Sequence, residues 1–337
     1  MKKIYSILFI SSLLSFLVKS IEESTEKNSV SELIEMVRME IIDKSLLSLP
    51  KRTEVNILKM GNQMNKLKEE YSFNEAESAY LVFKWISQSM EVNFYDEDSD
   101  DLTNAYNSGK GTPKQLSSLF NNFCRFLNVT SDSISGYLKW VNTKNVELIS
   151  NRDYTWNYVE INGKYYLIDV SLASDMKFSR YDYLHFGTKP EIFIRLHFPK
   201  DDKWQLLSEA YTFEKFESMA ALNPSFYFLG FENIFPDSNK IFESGKIVLN
   251  SDRLIARKDI LYGCITKKNA EIGFMGKDDY EGTLKNEIEY NVNGYGCLIF
   301  YLEAKEENSN IFEKIAFFSI NQSKNYFLGF KKIPNLN

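Results

Sequence analysis

Histidine and cysteine are scarce in this chain, two and three residues, and the stretches that invite a chemical reading fail on spacing. Residues Ser108-Gly109-Lys110-Gly111-Thr112-Pro113 look at first like a phosphate-cradling loop. Such a loop needs a glycine five residues before the Gly-Lys pair and a Ser or Thr after it for magnesium. Here those positions hold Asn104 and Gly111. The two histidines, His185 and His197, stand in no Cys, His or carboxylate motif with metal-ligand spacing, so structural roles, no metal and no cofactor are expected. There is no Gly-x-Ser-x-Gly elbow and no Gly-x-Gly-x-x-Gly loop. The acidic run from Asp96 to Asp101 lacks the glycine and terminal glutamate of an EF-hand loop and reads first as a solvated loop, with a calcium site as the secondary reading. Three cysteines, Cys124, Cys264 and Cys297, are too few for a disulfide-stapled scaffold. In an oxidising compartment Cys264 and Cys297 can pair; two buried thiols are the alternative.

Apolar periodicity supplies the elements that must position any such group. Helical spacing from Val30 to about Glu70, interrupted at Pro50, predicts two helices. Ala79, Phe83, Ile86 and Met90 share one face of a further helix, with Ser72 or Asn74 available as its cap. Another helix starts at Thr112-Pro113, because proline suits the first turn, and turns Leu116, Leu119, Phe120 and Phe123 inward. The pattern then changes to strands over 134–141, 154–161 and 164–172, with Asn162-Gly163 as a tight hairpin turn. The expected class is α+β, a helix packed on an antiparallel sheet. From about Phe226 onward, short strands separated by polar turns predict a separate β-sandwich-like domain.

At 337 residues, 44% hydrophobic and 15% aromatic, the chain can fill two cores. A net charge of −6 without a dense Lys or Arg run argues against a nucleic-acid partner. Lys2 and Lys3 precede an apolar run from Ile4 to Val18, then Lys19, Ser20 and an acidic stretch. That is the layout of a signal peptide cut near Ser20, and the run is too short for an ordinary spanning helix; an uncleaved anchor is the alternative. The expected organisation is a signal peptide over 1–20, one domain over 21–215 and a second over 226–337. The expected location is outside the cell or in the secretory lumen, with no membrane span after cleavage. Two glycosylation sequons, Asn128-Val129-Thr130 and Asn321-Gln322-Ser323, fit that route.

The blocks GTPKQLSSLFNNFC at 111–124, ISGYLK at 134–139 and YTWNYVEINGKYYLIDVS at 154–171 follow one another in a familiar order. With AESAYLVFKWISQSMEVNFYD at 76–96 upstream and HFPKDDKWQLL at 197–207 downstream, they resemble the transglutaminase-like superfamily, nearest its kyphoscoliosis-peptidase branch. In that family a Gly-x-Cys opens the helix, a Ser-Gly-Tyr-x-Lys strand follows, then His-Ala-Trp-Asn, then a Trp-Tyr-Leu-x-Asp strand. The resemblance covers about Ile41 to Leu207 and implies a papain- or transglutaminase-like core.

It also implies a Cys-His-Asp triad, in which a helix N-terminus and an imidazolium stabilise a thiolate while an acid orients the imidazole. In this chain the nucleophile position falls on Pro113, the base on Tyr154, and only the acid, Asp169, is retained. Proline has no nucleophilic atom, and a phenol with an ordinary pKa of about 10 is a poor base at neutral pH. Cys124 lies eleven residues beyond Pro113, about 16 Å along a helix, and reads as a core thiol. Thr112 and Ser117 are nearby hydroxyls without a base. Asp169 is expected to act as a strand-end acceptor for Tyr154 or Trp156. The chain is thus expected to be a pseudoenzyme that binds a protein or peptide. An unconventional nucleophile, in a thiol peptidase or a protein-glutamine acyltransferase, is the alternative, and a purely structural extracellular component is another. Thr112, Tyr137, Trp140 and Trp156 either line a binding groove or fill the core left by the missing triad.

Overall fold

The computed structural model describes residues 30–95, 101–142, 147–175, 182–242, 246–256, 260–265, 284–291, 299–305 and 312–321. The apolar N-terminal run, Asp96–Asp100 and Cys297 lie outside the described residues.

Helices α1 (Met39–Leu46) and α2 (Ile57–Tyr71) flank Pro50, as the periodicity predicts. α2 ends where Ser72 turns left-handed, with φ of 50°. α3 (Glu75–Ser89) starts at Asn74, whose side chain accepts from the Glu77 amide while Glu77 accepts from the Asn74 amide, satisfying two otherwise orphaned donors. It is buried on nearly every side, which makes it the central helix of the larger apolar cluster. Strand β1 (Glu91–Val92) follows, then α4 (Leu102–Ser108), capped by the Asp101 side chain. β2 (Lys110–Gly111) pairs with β1 in parallel and leads into α5 (Pro113–Phe126). Thr112 and Gln115 form a capping box there, and Leu116, Leu119, Phe120 and Phe123 are buried as expected.

Five antiparallel strands form the main sheet: β3 (Thr130–Asn142), β4 (Glu147–Ile161), β5 (Lys164–Ile168), β6 (Phe186–Thr188) and β7 (His197–Pro199), in the order β6-β5-β4-β3-β7. Asn162 and Gly163, with φ of 54° and 75°, make the two-residue turn between β4 and β5, since that turn type needs left-handed backbone at both positions. The third strand does not run to Leu172 as expected. It stops at Ile168, and Val170–Asp175 is helix α6, because Asp169 accepts from the Ser171 and Leu172 amides and so starts a helix.

α5 is stapled to the sheet by polar side chains. Asn157 Nδ2 on β4 donates to Ser117 O at 3.0 Å and to Asn121 Oδ1 at 2.9 Å. Asn121 Nδ2 and Ser117 Oγ each lie 2.8 Å from Ser133 Oγ on β3. The glycine of ISGYLK has a steric reason. A Cβ at Gly136 would lie 2.3 Å from both Phe198 O and a Trp156 ring carbon, so only glycine lets β7 and the indole approach β3 together.

Helix α7 (Pro190–Phe193) precedes β7 and α8 (Phe213–Ser218) follows it. Lys139, the lysine of the same block, is buried, with Nζ 2.6 Å from Met219 O and 4.4 Å from the Phe216 ring centroid. Burial, helped by the charge of Arg195, pulls its pKa down to about 7 against the pull of Asp237 and Glu217. An unfolded lysine keeps its proton to about 10.4. Between those values the unfolded chain binds more protons than the native one, so stability rises with pH. Chemical denaturation midpoints should therefore increase from pH 7 to pH 10, and Lys139→Met should flatten that rise; an identical slope in the variant would refute this assignment.

The C-terminal strands form two further sheets. β9 (Phe231–Phe235), β11 (Lys246–Ala256) and β13 (Leu284–Asn291) pair in the order β13-β11-β9. The other holds β10 (Lys240–Phe242), β15 (Phe312–Asn321), β14 (Ile299–Lys305) and β12 (Ile260–Ile265), with β8 (Ala221–Leu222) also on β15. A second apolar cluster joins Phe226, Ile247, Leu302 and Phe318 to Val30, Leu184 and Ile192. Helix α9 (Pro224–Phe228) and β8 thus tie the strands after residue 226 to the segment before it. Among the described residues no helix is long and apolar enough to cross a membrane.

Candidate functional site

Asp169 stands at the junction of β5 and α6, fully buried. Its Oδ1 accepts from the Ser171 and Leu172 amides at 2.9 Å. The Tyr154 hydroxyl, from β4, lies 3.0 Å from both carboxylate oxygens and donates to them. His197 Nε2, from β7, lies 2.7 Å from Oδ2. One carboxylate therefore receives four donors from three elements.

The electrostatics follow from that crowding. Burial alone would raise the Asp169 pKa, but the bond and charge of His197, the charge of His185 and the Leu172 amide hold it below the usual carboxylate range. Burial, with the adjacent Asp169 charge, pushes the Tyr154 phenol well above its ordinary value, which leaves it a donor rather than a base. His185, also buried, is pulled down to about 4, chiefly by desolvation.

His197 is held on every side. Its Nδ1 lies 3.2 Å from Phe193 O, and its ring stacks on Phe193 at 3.8 Å and meets the Trp156 edge at 5.3 Å. Both ring nitrogens face oxygen acceptors. With 2% exposure, the imidazole has no lone pair directed at a ligand. The sequence predicts a structural histidine but not its partner, because pairing of β7 with β3 brings it to Asp169 from 28 residues away. The only sequence cue is its place at the head of HFPKDDKWQLL.

Of the expected triad positions, the structure brings Tyr154 and Asp169 into direct contact. Pro113 is the first residue of α5 and buried; two residues before it Gly111 O accepts from Asn93 N at 2.8 Å, and Phe94 stacks on Tyr154 at 6.3 Å. Thr112 is a buried cap.

Of the aromatic groove expected from Tyr137, Trp140 and Trp156, the two members with described side chains, Tyr137 and Trp156, lie on opposite faces of the sheet. Trp156 is 1% exposed, packed between Phe193, His197 and Tyr154, and is core. Tyr137 pairs with Asp153 while Gly136 pairs with Tyr154, so strand alternation places Tyr137 on the opposite face from Tyr154 and Trp156, against Phe213. Trp140 is a β3 residue whose side chain lies outside the description. The hydroxyl of Ser117 is engaged with Ser133 and Trp156 O. Cys124 is a buried free thiol pushed up to about 12 by burial. Cys264 lies on β12, with its side chain outside the description, as is that of Asn321 at the end of β15. Among the described residues no cluster of three His, Cys, Asp or Glu side chains is arranged to hold a metal ion.

Residues 62–170 match the model of the Transglutaminase-like superfamily, a span that runs from α2 to just past Asp169 and stops short of His197. The chain is similar to kyphoscoliosis peptidase from Mus musculus, 26% identical over 188 residues, covering 52% of this chain and 28% of that protein. The Homo sapiens kyphoscoliosis peptidase is 26% identical over 180 residues, covering 50% and 27%. Cytokinesis protein 3 of Schizosaccharomyces pombe is 25% identical over 189 residues, covering 53% and 21%. The chain thus spans about a quarter of the length of the curated relatives it matches.

Proposed function

From the premise of a transglutaminase-like region over residues 62–170, we propose that this chain is a non-catalytic, secreted protein that acts by binding a protein or peptide. The observation that carries the reading is the saturation of Asp169. Its carboxylate is taken up by Tyr154, His197 and two backbone amides, and the one imidazole it holds, His197, is buried with its other nitrogen against Phe193 O. Pro113 at the helix entrance supports it, since proline places no ionisable atom at that end of the helix dipole. Because Tyr154 and Trp156 are core, binding belongs to the outer surface of the fold rather than to an emptied cleft.

The test is turnover by the purified chain in thiol-peptidase and glutamine-amine cross-linking assays, paired with a thiol-reactive probe at neutral pH. No turnover is expected, and Cys124 should label only as fast as the chain unfolds. Turnover that survives repurification and disappears in Cys124→Ser or Ser117→Ala would overturn the reading in favour of an unconventional nucleophile.

A further inference from the structure

We propose that Asn128 carries an N-linked glycan; this rests on the reading that the chain enters the secretory pathway. The sequon Asn128-Val129-Thr130 occupies the turn between the end of α5 and the start of β3. Asn128 and Thr130 are exposed, while Val129 between them is 4% exposed and anchors the turn in the core. Asn128 has a φ of 50°, a left-handed backbone that asparagine adopts more readily than most residues, and its amide nitrogen donates to Arg125 O. No hydrogen bond engages its side-chain amide among the described residues, so a sugar attached there displaces no contact of the fold. The turn also lies at the far end of α5 from Pro113, about 21 Å along a helix of 14 residues.

The chemistry is a group transfer from a polyprenyl-pyrophosphate-linked oligosaccharide. Asn128 Nδ2 bonds to the anomeric carbon, the anomeric carbon–oxygen bond breaks, and the pyrophosphate leaves with the electron pair. Nδ2 gives up one of its two protons to a base of the transferase. The Thr130 hydroxyl completes the acceptor motif.

Translation of the full chain with endoplasmic-reticulum microsomes tests this, with protease protection as a glycan-independent report of entry. The expected result is a protected chain whose slower-migrating band is collapsed by a peptide N-glycosidase. That band should be lost in Thr130→Ala and kept in Thr130→Ser; both variants leave the left-handed asparagine in place. Ser323→Ala separates any contribution of Asn321. A protected chain with no step dependent on Thr130 overturns the proposal and leaves the secretory reading standing. An unprotected chain overturns both.

Discussion

Asp169→Ala is expected to destabilise the fold by about 3–5 kcal/mol, the cost of removing one partner from a buried charged network. Alanine would strand the Tyr154 hydroxyl, His197 Nε2 and the Ser171 amide, all on buried residues, and the Leu172 amide, on a half-buried one. The same residue sets an acid-side pH dependence. An unfolded aspartate takes up a proton at about 3.9, whereas the native carboxyl resists protonation to lower pH because His197, His185 and the Leu172 amide outweigh its burial. Its contribution is therefore complete above that value and is lost as pH falls through the native one. His185, pulled to about 4 by burial against the opposing charge of Asp169, adds a loss of stability that begins as pH drops below about 6.5, and the variant lacks the charge that opposes it. Urea midpoints at pH 7 and pH 3.5 measure both effects. The gap between wild type and Asp169→Ala should narrow at the lower pH only as the native carboxyl is protonated; a loss under about 1 kcal/mol at pH 7 would mean the four contacts do not hold the sheet to α6.

Trp156→Ala should cost a similar amount, about 3–5 kcal/mol, since an indole at 1% exposure leaves a cavity bounded by Phe193, His197 and Tyr154. Trp156→Phe should cost much less, because it keeps a ring against the imidazole and gives up no hydrogen bond: the indole nitrogen has no acceptor among the described residues. The contrast separates a core role from a binding role. A groove tryptophan would lose ligand affinity on truncation with its thermal midpoint nearly unchanged, and that result would restore the groove.

Much of the scaffold was legible because it is encoded locally. Asn74 with Glu77 and Thr112-Pro113 with Gln115 are cap signals that act within one turn, and Asn162-Gly163 fixes its hairpin by backbone preference alone. The end of β5 was misread because Asp169 serves two masters: its apolar neighbours suit a strand, but its side chain captures the next amides and starts a helix. The surroundings of Asp169 were only half legible. Tyr154 is its neighbour across one hairpin, whereas His197 arrives through strand pairing that no local pattern announces. The failure of the groove has the same origin, since a register of Gly136 against Tyr154 decides which face Tyr137 takes.

The Asn157 staple grips α5 at Ser117 and Asn121, on the second and third turns, and takes nothing from the first. Proline at the helix entrance forfeits no internal bond, because that amide has no partner within a helix. The staple is therefore independent of the residue at the helix entrance, so a substitution at position 113 leaves the grip of β4 on α5 in place.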